Sequence, residues 1–317
     1  VAVGAWRALG ADMPLAWIGD PAHLPSDTPY RIVTDLSQAH GPCPDALPVL
    51  ARDFGAPRVP GDANPAHAQG VIDAIADGVA LVMSGAARAI CTAPIHKAAL
   101  IDGAGFAYPG HTEYLAALAG DVPVVMMLAC TALRVVPATI HIPLSQVPTA
   151  LTADVLRDTL HITAAALTRN FGITAPRIAV AGLNPHAGED GKMGREEIEM
   201  IAPLIAALRA DGMNVFGPLS ADTMFHAGAR SGYDAAVCMY HDQALIPIKT
   251  IDFAGGVNVT LGLPFIRTSP DHGTAFDIAG KGVADATSMI AALRMARDMA
   301  NARITNEDAD AARRTTP

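Results

Sequence analysis

Three histidines each stand just past an apolar run. His141 lies in "TIHIPLS", His186 in "GLNPHAGED" and His241 in "MYHDQALIPIK". Neutral imidazoles with a carboxylate nearby suit a divalent ion of borderline softness such as Zn²⁺, Co²⁺ or Mn²⁺, and three protein ligands leave positions open for a substrate. If the fold brings these rings together, the sequence predicts a catalytic metal site rather than a structural one.

The separation of these histidines along the chain leaves a simpler interpretation open. They lie 45 and 55 residues apart, which matches no short zinc-binding motif. An isolated loop histidine is most often an ordinary surface residue, and that interpretation also covers His186 with its neighbour Glu189. Only a fold that places the three runs at one edge of a sheet would favour the metal.

Residues beside other runs could bind an anion. The stretch "YPGHTEYLA" puts His111 and Thr112 at the start of a predicted helix, where free N–H groups and the positive end of the helix dipole favour phosphate or carboxylate. Thr112 could instead only cap that helix. Lys249, Asn258 and Arg267 are spaced nine apart beside strands. They could supply further donors, although isolated residues of this kind more often only contact solvent.

The glycine-rich segment "SPDHGTAFDIAGKGVADATS", residues 269–288, could approach a nucleotide closely. Its glycines permit tight turns, and its polar side chains can hydrogen-bond a base or ribose. The residues concerned are His272, Gly273, Thr274, Gly280, Gly282 and Asp285. An ordinary turn before the last helix is the alternative. Neither G-x-G-x-x-G after a strand nor G-x-x-x-x-G-K-[ST] occurs in the sequence, so a nucleotide would need another scaffold.

Apolar runs rich in β-branched residues alternate with alanine-rich stretches of helical spacing, which indicates an α/β fold. Strands that are apolar throughout imply a sheet covered by helices on both faces, with ligands at the carboxyl ends of the strands. The polar motifs above sit at those ends. We expect strands at 78–84, 88–93, 122–128, 133–139, 177–183, 234–240 and 257–263, and helices at 66–77, 111–119, 145–170, 194–211 and 285–303.

The overall composition limits the class of protein. A chain of 317 residues is two domains of ordinary size or one large α/β unit. The net charge is −9 with Lys and Arg scattered, which gives little support for binding nucleic acid or an anionic membrane. The longest apolar runs, about eight to ten residues, are too short to cross a bilayer. We therefore expect a cytoplasmic protein without nucleic-acid or membrane partners.

The cysteines and the chain ends add further expectations. Cys43, Cys91, Cys130 and Cys238 are far apart and form no C-x-x-C pair, and three of them lie in apolar runs typical of strands. This pattern favours buried, reduced thiols. The chain starts at Val1 with "VAVGAWRALG", which predicts a helix already under way and hence a preceding segment. The tail "NEDADAARRTTP" is expected to be solvated and frayed.

Several longer motifs resemble the 4-hydroxythreonine-4-phosphate dehydrogenase family. They are "TAPIHK", "PGHTEYL", "TIHIPL", "GLNPHAGE", "GPLSADTMF", "YHDQALIPIK" and "GVNVTLGLPFIRTSPDHGTAFDIAGKG", in order over about residues 78–303. The family's usual opening, a strand followed by "GDPAGIGPE", is absent. The segment "HGTAFDIAGKGVAD" is also similar to the adenosine-binding loop of isocitrate and isopropylmalate dehydrogenases, whose fold the family shares. That similarity would explain a nucleotide site without a Rossmann fingerprint.

The resemblance implies a fold of two α/β/α domains with a cleft between them, as in the isocitrate and isopropylmalate dehydrogenases. It divides the chain into a nucleotide-binding domain, 1–120 with 258–317, and a central domain, 121–257, that carries the metal ligands and the dimer interface. An active site shared between two subunits, and hence a homodimer, is implied as well.

The resemblance also implies roles for individual residues. A divalent metal (zinc, cobalt or magnesium) would be held by His141, His186 and His241. Substrate contacts would come from His111, Thr112, Lys249, Asn258 and Arg267, and catalysis would involve Asp222, Asp242 and Lys249. NAD, or NADP, would be bound by His272, Gly273, Thr274 and Asp285.

The implied reaction is NAD-dependent oxidation of 4-phosphohydroxy-L-threonine with decarboxylation to 3-amino-2-oxopropyl phosphate, in vitamin B6 synthesis. Similar enzymes oxidise D-threonate or D-erythronate 4-phosphate, or dihydrodiols of aromatic dicarboxylates. They would share the metal and NAD residues, so these motifs do not separate the substrates. The long "SPDHGTAFDIAG" run favours the B6 enzyme. From a different class, a metal-dependent phosphatase or a protein that only binds phosphorylated acids would also use histidines and acids.

Overall fold

The chain forms two compact units in a computed structural model that describes the backbone of residues 1–315 and the side chains of residues 1–308. Unit 1 comprises Val1–Val122 and Leu263–Arg297, and unit 2 comprises Pro123–Gly262 with the segment that begins at Asp298. Helices and strands occur in both units, so the predicted α/β class is confirmed. The functional assignment of the two expected domains stays a prediction.

The elements are numbered in chain order. The helices are α1 (Ala2–Leu9), α2 (Ala68–Met83), α3 (Lys97–Ala104), α4 (His111–Leu118), α5 (Val147–Ala150), α6 (Ala153–Phe171), α7 (Ala202–Ala210), α8 (Ala227–Arg230), α9 (His241–Ile251) and α10 (Thr287–Thr315). The strands are β1 (Trp17–Gly19), β2 (Tyr30–Ile32), β3 (Leu47–Ala51), β4 (Ala89–Cys91), β5 (Val125–Cys130), β6 (Leu133–Thr139), β7 (Ile178–Ala181), β8 (Val215–Leu219), β9 (Ala235–Tyr240), β10 (Val257–Leu261) and β11 (Ile266–Pro270). A single π-helical turn, Glu197–Ile201, precedes α7.

Unit 1 is built on short parallel strands. β3 pairs with β1 on one side and with β2 on the other, and β4 pairs with β11, all in parallel. Trp6 of α1 anchors the first of these sheets: its indole N–H donates to the carbonyl oxygen of Cys43 (2.8 Å), and its ring packs against Leu47 and Val49 of β3. The sequence did not predict β1 to β3 because they span only three to five residues and are largely exposed or half-buried outside β3.

Helix α2 corrects one predicted element. The run "GVALVMS" at 78–84 is predicted above to be a strand, and this is wrong, since it forms the last turns of α2. The buried residues Ile75, Val79 and Val82 are spaced by four and three positions, which places them on one face of a helix. An unbroken apolar run does not by itself distinguish a buried helix from a strand, and here the helical spacing upstream decides.

The same helix has the length and composition of a membrane span. Residues Pro65–Met83 reach a mean hydropathy of 1.2. The expectation that no segment could cross a bilayer rested on the length of unbroken apolar runs, and it did not cover a helix in which polar residues interrupt the apolar ones. The core helix of a globular unit has the same properties, and α2 packs on α3, β1 and β4 within unit 1. Its Asp77 also pairs with Arg52. This helix therefore gives weak support for a membrane span.

The sheet of unit 2 places the strands that precede the candidate histidines side by side. The strand order is β10-β5-β6-β9-β7-β8, in which β5 is antiparallel to β10 and to β6 and the remaining pairs are parallel. Buried Val135, Cys238 and Ala179 come from the three central strands and share one core with Leu245 and Ile248 of α9. Because β6, β9 and β7 are parallel neighbours, their carboxyl ends meet at the same edge of the sheet.

Most other predicted elements are confirmed. Strands β4 to β7, β9 and β10 overlap predicted runs, and α4 begins at the predicted position. The helix expected at 145–170 divides into α5 and α6 because the Thr152 hydroxyl accepts the Val155 N–H (3.2 Å) and starts a new helix. The sequence did not predict β8, β11 or α9, which contains Pro247, a residue that usually ends helices.

The cysteines and the tail are placed as follows. All four cysteines are free thiols, of which Cys91, Cys130 and Cys238 lie in strands as predicted. The expectation of buried thiols is confirmed for Cys43, Cys130 and Cys238, while Cys91 is half-buried. The tail predicted to be frayed continues α10 to Thr315, and residues 316–317 lie outside the described part of the chain.

Candidate active site

The three candidate metal ligands follow neighbouring parallel strands of unit 2. His141 stands two residues after the end of β6, His241 is the first residue of α9 directly after β9, and His186 lies in the loop that follows β7. Strands β6, β9 and β7 are adjacent in the sheet, so all three histidines leave the same edge. This is the topological arrangement that a shared ligand would require.

Two of these histidines are side by side. The ring centroids of His141 and His241 are 5.7 Å apart, with an angle of 43° between the ring planes. His241 Nδ1 is 2.7 Å from the carboxylate of Asp242, which leaves Nε2 facing away from this contact. A pair of imidazoles with an adjacent carboxylate is a donor set that a divalent ion of borderline softness accepts.

The third histidine, His186, does not complete a metal-binding group with this pair among the described residues. Among the residues that the structure describes, no three His, Cys, Asp or Glu side chains form a group close enough to be a metal site. His186 Nδ1 is 4.0 Å from Glu189. The Ser220 hydroxyl, and to a smaller extent His186, hold the pKa of Asp222 below its usual value, so Asp222 is ionised at neutral pH. The chemistry of the donors and their strand ends fit a metal, while a three-histidine cluster stays a prediction.

Two further candidate residues belong to unit 2. Lys249 lies on α9, the helix that His241 begins, and its Nζ is 5.6 Å from the centroid of the Phe253 ring. Asn258 lies on β10, opposite Leu128 of β5, and is partly buried. Both side chains can donate hydrogen bonds, and only the lysine adds charge.

A buried arginine dominates the candidate anion site of unit 1. Arg267 on β11 is only 4% exposed. Its Nε and Nη2 donate to the hydroxyl oxygen of Thr92 (3.1 and 2.8 Å), which follows β4 directly. Burial lowers the pKa of Arg267 to about 10, so the guanidinium is still charged at neutral pH. A buried guanidinium with a fixed orientation is a strong recognition group for phosphate or carboxylate.

His111 lies close enough to this arginine to respond to its charge. Burial, and to a smaller extent the charge on Arg267, lowers the pKa of His111 to about 3, so the ring is neutral at neutral pH. Its Nε2 is buried without a hydrogen-bond partner. His111 is the first residue of α4 and Gly110 is its N-cap, so the alternative that Thr112 only caps the helix is wrong. An unpaired buried nitrogen is unusual in folded proteins, and a ligand or an ordered water can complete its hydrogen bonding.

The candidate nucleotide segment follows β11 in unit 1. Gly273 has no positive φ, and a Cβ built on it would contact nothing within 4 Å, so the fold itself does not require glycine there. The carboxylate of Asp285 accepts the N–H and the hydroxyl of Thr287 (2.8 and 2.6 Å), which caps α10. His272 Nδ1 is 2.9 Å from the Gly273 carbonyl oxygen. Asp285 therefore has a structural role besides the nucleotide contact expected of it.

Sequence reasoning missed the residues that tie the strand ends of unit 2 together. Gln243 accepts the Met239 N–H at Oε1 (2.7 Å) and donates to the Gly182 carbonyl oxygen (2.8 Å), which links the ends of β9 and β7. The carboxylate of Glu197 accepts the backbone N–H groups of Leu183 and Asn184 (both 2.8 Å). Gln243 stands in "YHDQ" with His241, and Glu197 ends the stretch "GLNPHAGEDGKMGREE" that contains His186. That proximity is the signal that could have found them.

The chain is an α/β protein with polar side chains gathered at the carboxyl ends of neighbouring parallel strands, which is where α/β enzymes place their active sites. More particularly, the chain belongs to the family described as pyridoxal phosphate biosynthetic protein PdxA, whose model matches residues 15–296.

Individual relatives agree with this family. The 4-hydroxythreonine-4-phosphate dehydrogenase of Roseobacter denitrificans is 65% identical over 301 residues, which cover 95% of this chain and 92% of that relative. The crystal structure of 4-hydroxythreonine-4-phosphate dehydrogenase from Klebsiella pneumoniae matches with a TM-score of 0.83 at 37% identity, over 94% of both chains. A terephthalate 1,2-cis-dihydrodiol dehydrogenase from Burkholderia xenovorans matches with a TM-score of 0.60 at 29% identity, over 80% of this chain and 81% of that one. The relatives are dehydrogenases, and this chain is an enzyme of the same class.

Proposed function

We propose that the chain oxidises 4-phosphohydroxy-L-threonine with NAD⁺ in a reaction that depends on a divalent metal, followed by decarboxylation to 3-amino-2-oxopropyl phosphate in vitamin B6 synthesis. The observation that carries this proposal is the pairing of His141 and His241, whose rings are 5.7 Å apart at the ends of adjacent parallel strands. The names of the relatives supply the substrate.

His141, His186 and His241 would hold the metal in this proposal. When bound, a divalent ion supplies Lewis-acid chemistry that lowers the pKa of a coordinated alcohol and polarises the carbonyl that oxidation produces. Asp242 contacts Nδ1 of His241 (2.7 Å), which orients the ring and directs Nε2 to the ion, as carboxylates beside metal-binding histidines commonly do. Asp222, whose pKa is held low by Ser220, adds a negative charge near His186.

Other residues would bind the anionic groups of the substrate. Arg267 would bind phosphate with its buried guanidinium, which Thr92 holds in one orientation. His111, kept neutral by burial, would donate from Nε2 to a phosphate oxygen, beside Thr112 at the start of α4. Lys249 and Asn258 would complete the contacts. Their work is positioning, because a fixed substrate presents its carbinol hydrogen to the nicotinamide.

NAD would be bound by the segment after β11. Gly273 faces open space although the backbone does not need glycine there, which leaves room for a nucleotide to approach the main chain. His272, Thr274 and Asp285 would contact the adenosine, and NADP remains an alternative cofactor.

A homodimer would cover the exposed side of α9. Ile246 is 63% exposed and Phe253, just beyond the helix, is 79% exposed. Large apolar side chains exposed next to a candidate ligand helix are typical of a surface that a partner buries. A second copy of the chain would provide that partner.

One alternative substrate class has a specific observation in its favour. The match to the terephthalate dihydrodiol dehydrogenase indicates that this scaffold also serves dihydrodiols of aromatic dicarboxylates. D-Threonate and D-erythronate 4-phosphate are further alternatives that keep the phosphate. The unpaired Nε2 of His111 beside Arg267 suits a phosphate oxygen, which favours phosphorylated substrates.

A panel assay tests this proposal. The protein, with a divalent metal and either NAD⁺ or NADP⁺, is given 4-phosphohydroxy-L-threonine, D-threonate 4-phosphate, D-erythronate 4-phosphate or a terephthalate dihydrodiol. We expect NADH and CO₂ from the first substrate, and no NADH after chelation of the metal. If only another compound of the panel yields NADH, that compound is the substrate instead of 4-phosphohydroxy-L-threonine. Release of inorganic phosphate without NADH would favour a phosphatase.

A further inference from the structure

The loop that carries His186 winds in the left-handed direction. The φ angles are 52° at His186, 51° at Ala187, 83° at Gly188, 43° at Glu189 and 54° at Asp190. L-amino acids other than glycine avoid this region because Cβ approaches the carbonyl oxygen that follows. A run of such residues persists only where the surrounding structure holds it.

Glu197 lies at the base of this turn and is almost completely buried, with 2% exposure. Its Oε1 accepts the backbone N–H groups of Leu183 and Asn184, each at 2.8 Å, and its Oε2 accepts the side-chain amide of Asn184 at 2.9 Å. A buried carboxylate is unfavourable unless hydrogen bonds satisfy it. These three donors all belong to the segment that enters the turn.

The turn itself packs directly on this carboxylate. A Cβ at Gly188 would lie 2.6 Å from Glu197 Oε2, and a Cβ at Gly182 would lie 2.8 Å from the Cα of Ala187. Close approach therefore requires glycine at both positions, and the positive φ of 83° is a second reason at Gly188. The carboxylate, the entry of the loop and the left-handed turn form one packed cluster, which has no room for an added methyl group at either glycine.

The same cluster is connected to β9, the strand that precedes His241. Gln243 donates to the Gly182 carbonyl oxygen (2.8 Å) and accepts the N–H of Met239 (2.7 Å). The position of His186 relative to β9 thus depends on Gly182, which precedes the segment that Glu197 holds.

We infer that Glu197 is a positioning residue for His186, because its carboxylate fixes the left-handed turn that presents this imidazole to the divalent ion. The inference rests on the proposed metal site and extends it to a residue that does not contact the ion. Glu196, which shares the Asn184 amide (2.7 Å), is less buried and holds none of the backbone groups of the loop entry.

The test is a titration of the full chain with Co²⁺ after chelation, followed by the absorption of the bound ion. Glu197→Gln keeps the size of the side chain but turns one acceptor into a donor that faces another donor. We expect the Co²⁺ affinity to fall by about 10- to 100-fold, the range typical for residues that orient metal ligands. Glu199→Gln is the matched control, since it makes the same change at a side chain that is 60% exposed and paired with Arg195, and it should leave the affinity unchanged.

A second background separates positioning from general damage to the fold. In a His186→Ala chain, Glu197→Gln should cause no further loss of Co²⁺ affinity, because Glu197 acts only through His186. A further loss in that background would overturn the inference, as would a folded Glu197→Gln protein with wild-type affinity.

Should Glu197→Gln fail to fold, Gly182→Ala is measured instead, because Gly182 has no positive φ and its Cβ would lie 3.2 Å from Glu197 Oε1 and 2.8 Å from the Cα of Ala187. A folded Gly182→Ala protein should lose Co²⁺ affinity to a similar extent, and wild-type affinity would overturn the inference. Loss of folding in both variants would overturn it too, because the contact would then be required for the folding of unit 2 and not specifically for the position of His186. A wild-type chain that binds no Co²⁺ would remove the proposed metal site itself.

Discussion

The Thr139 hydroxyl donates a buried hydrogen bond of 2.7 Å to the carbonyl oxygen of Met239, a residue 100 positions away in the chain. Thr139 is the last residue of β6 and stands two positions before His141, and Met239 stands two positions before His241. The bond therefore fixes the two strand ends at equal distances from the two imidazoles. It explains why rings so far apart in sequence have centroids only 5.7 Å apart.

His241→Ala is expected to abolish turnover, because it removes the imidazole that would bind the metal and that Asp242 orients. The measurement is kcat for NADH formation at saturating substrate after chelation and reloading with metal. His161→Ala, at an exposed position of α6, is the control and should retain activity. Near wild-type kcat in the His241 variant would refute the metal assignment.

Arg267→Ala is expected to act mainly on KM. The guanidinium makes charged hydrogen bonds of the kind that contribute about 1.5–3 kcal/mol, so KM for a phosphorylated substrate should rise about 10- to 100-fold with a smaller change in kcat. Thr92→Val leaves the charge in place but removes the acceptor of two guanidinium N–H groups, so a smaller rise is expected. An unchanged KM in Arg267→Ala would show that the phosphate binds elsewhere.

Phe253→Asp is expected to weaken the proposed homodimer, because a charge replaces an apolar ring that is 79% exposed beside α9. Light scattering at several protein concentrations gives the mass. Val59→Asp makes the same type of change at a 55% exposed residue of unit 1 and should leave the mass unchanged. A monomeric wild-type chain, or a dimer indifferent to Phe253→Asp, would contradict the proposed interface.

Asp234 makes the stability of unit 2 depend on pH. Arg177 donates to both carboxylate oxygens (2.9 and 3.2 Å), and this hydrogen bonding lowers the pKa of Asp234 below its usual value. A lowered folded-state pKa contributes stability above the unfolded pKa of about 4, and this contribution is lost as the pH falls through the folded pKa. Asp234→Asn should lower the free energy of unfolding by about 1 kcal/mol at neutral pH.

Denaturant unfolding at neutral pH and at acidic pH measures this difference. The gap between wild type and Asp234→Asn should close as the carboxylate of the wild type becomes protonated. Asp158→Asn makes the same substitution on α6 and is the matched control. A gap that stays constant over the acidic range would mean that the ion pair does not contribute to stability.

In unit 2 the sequence predicted the strands that precede the candidate histidines, but it did not predict helix α9. Strands β6, β7 and β9 are continuous apolar runs, so their carboxyl ends and the histidines beyond them could be located directly. Helix α9 could not, because Pro247 interrupts its pattern and its exposed Ile246 breaks the amphipathic spacing. The apolar runs do not specify which strands pair, so the adjacency of β6 and β9 could be seen only in the folded structure.

The hydrogen bonds that link the strand ends at the site could not be predicted from the sequence for a different reason. The bonds from Gln243 to Gly182 and from Thr139 to Met239 join positions 61 and 100 residues apart. Nothing in the local pattern of a polar residue specifies such a distant partner. The left-handed turn at His186 was equally hidden, since residues such as Ala187 and Glu189 normally avoid positive φ and carry no signal for it.

The most direct test of the account is the position of a bound metal in crystals of the protein grown with Zn²⁺. Anomalous diffraction at the zinc edge locates the ion independently of any interpretation of the side chains. We predict one ion bound by imidazole nitrogens of His141, His186 and His241, each at about 2.0–2.1 Å. An ion bound elsewhere, or no ion at these three histidines, would contradict the proposed metal site and the reaction that depends on it.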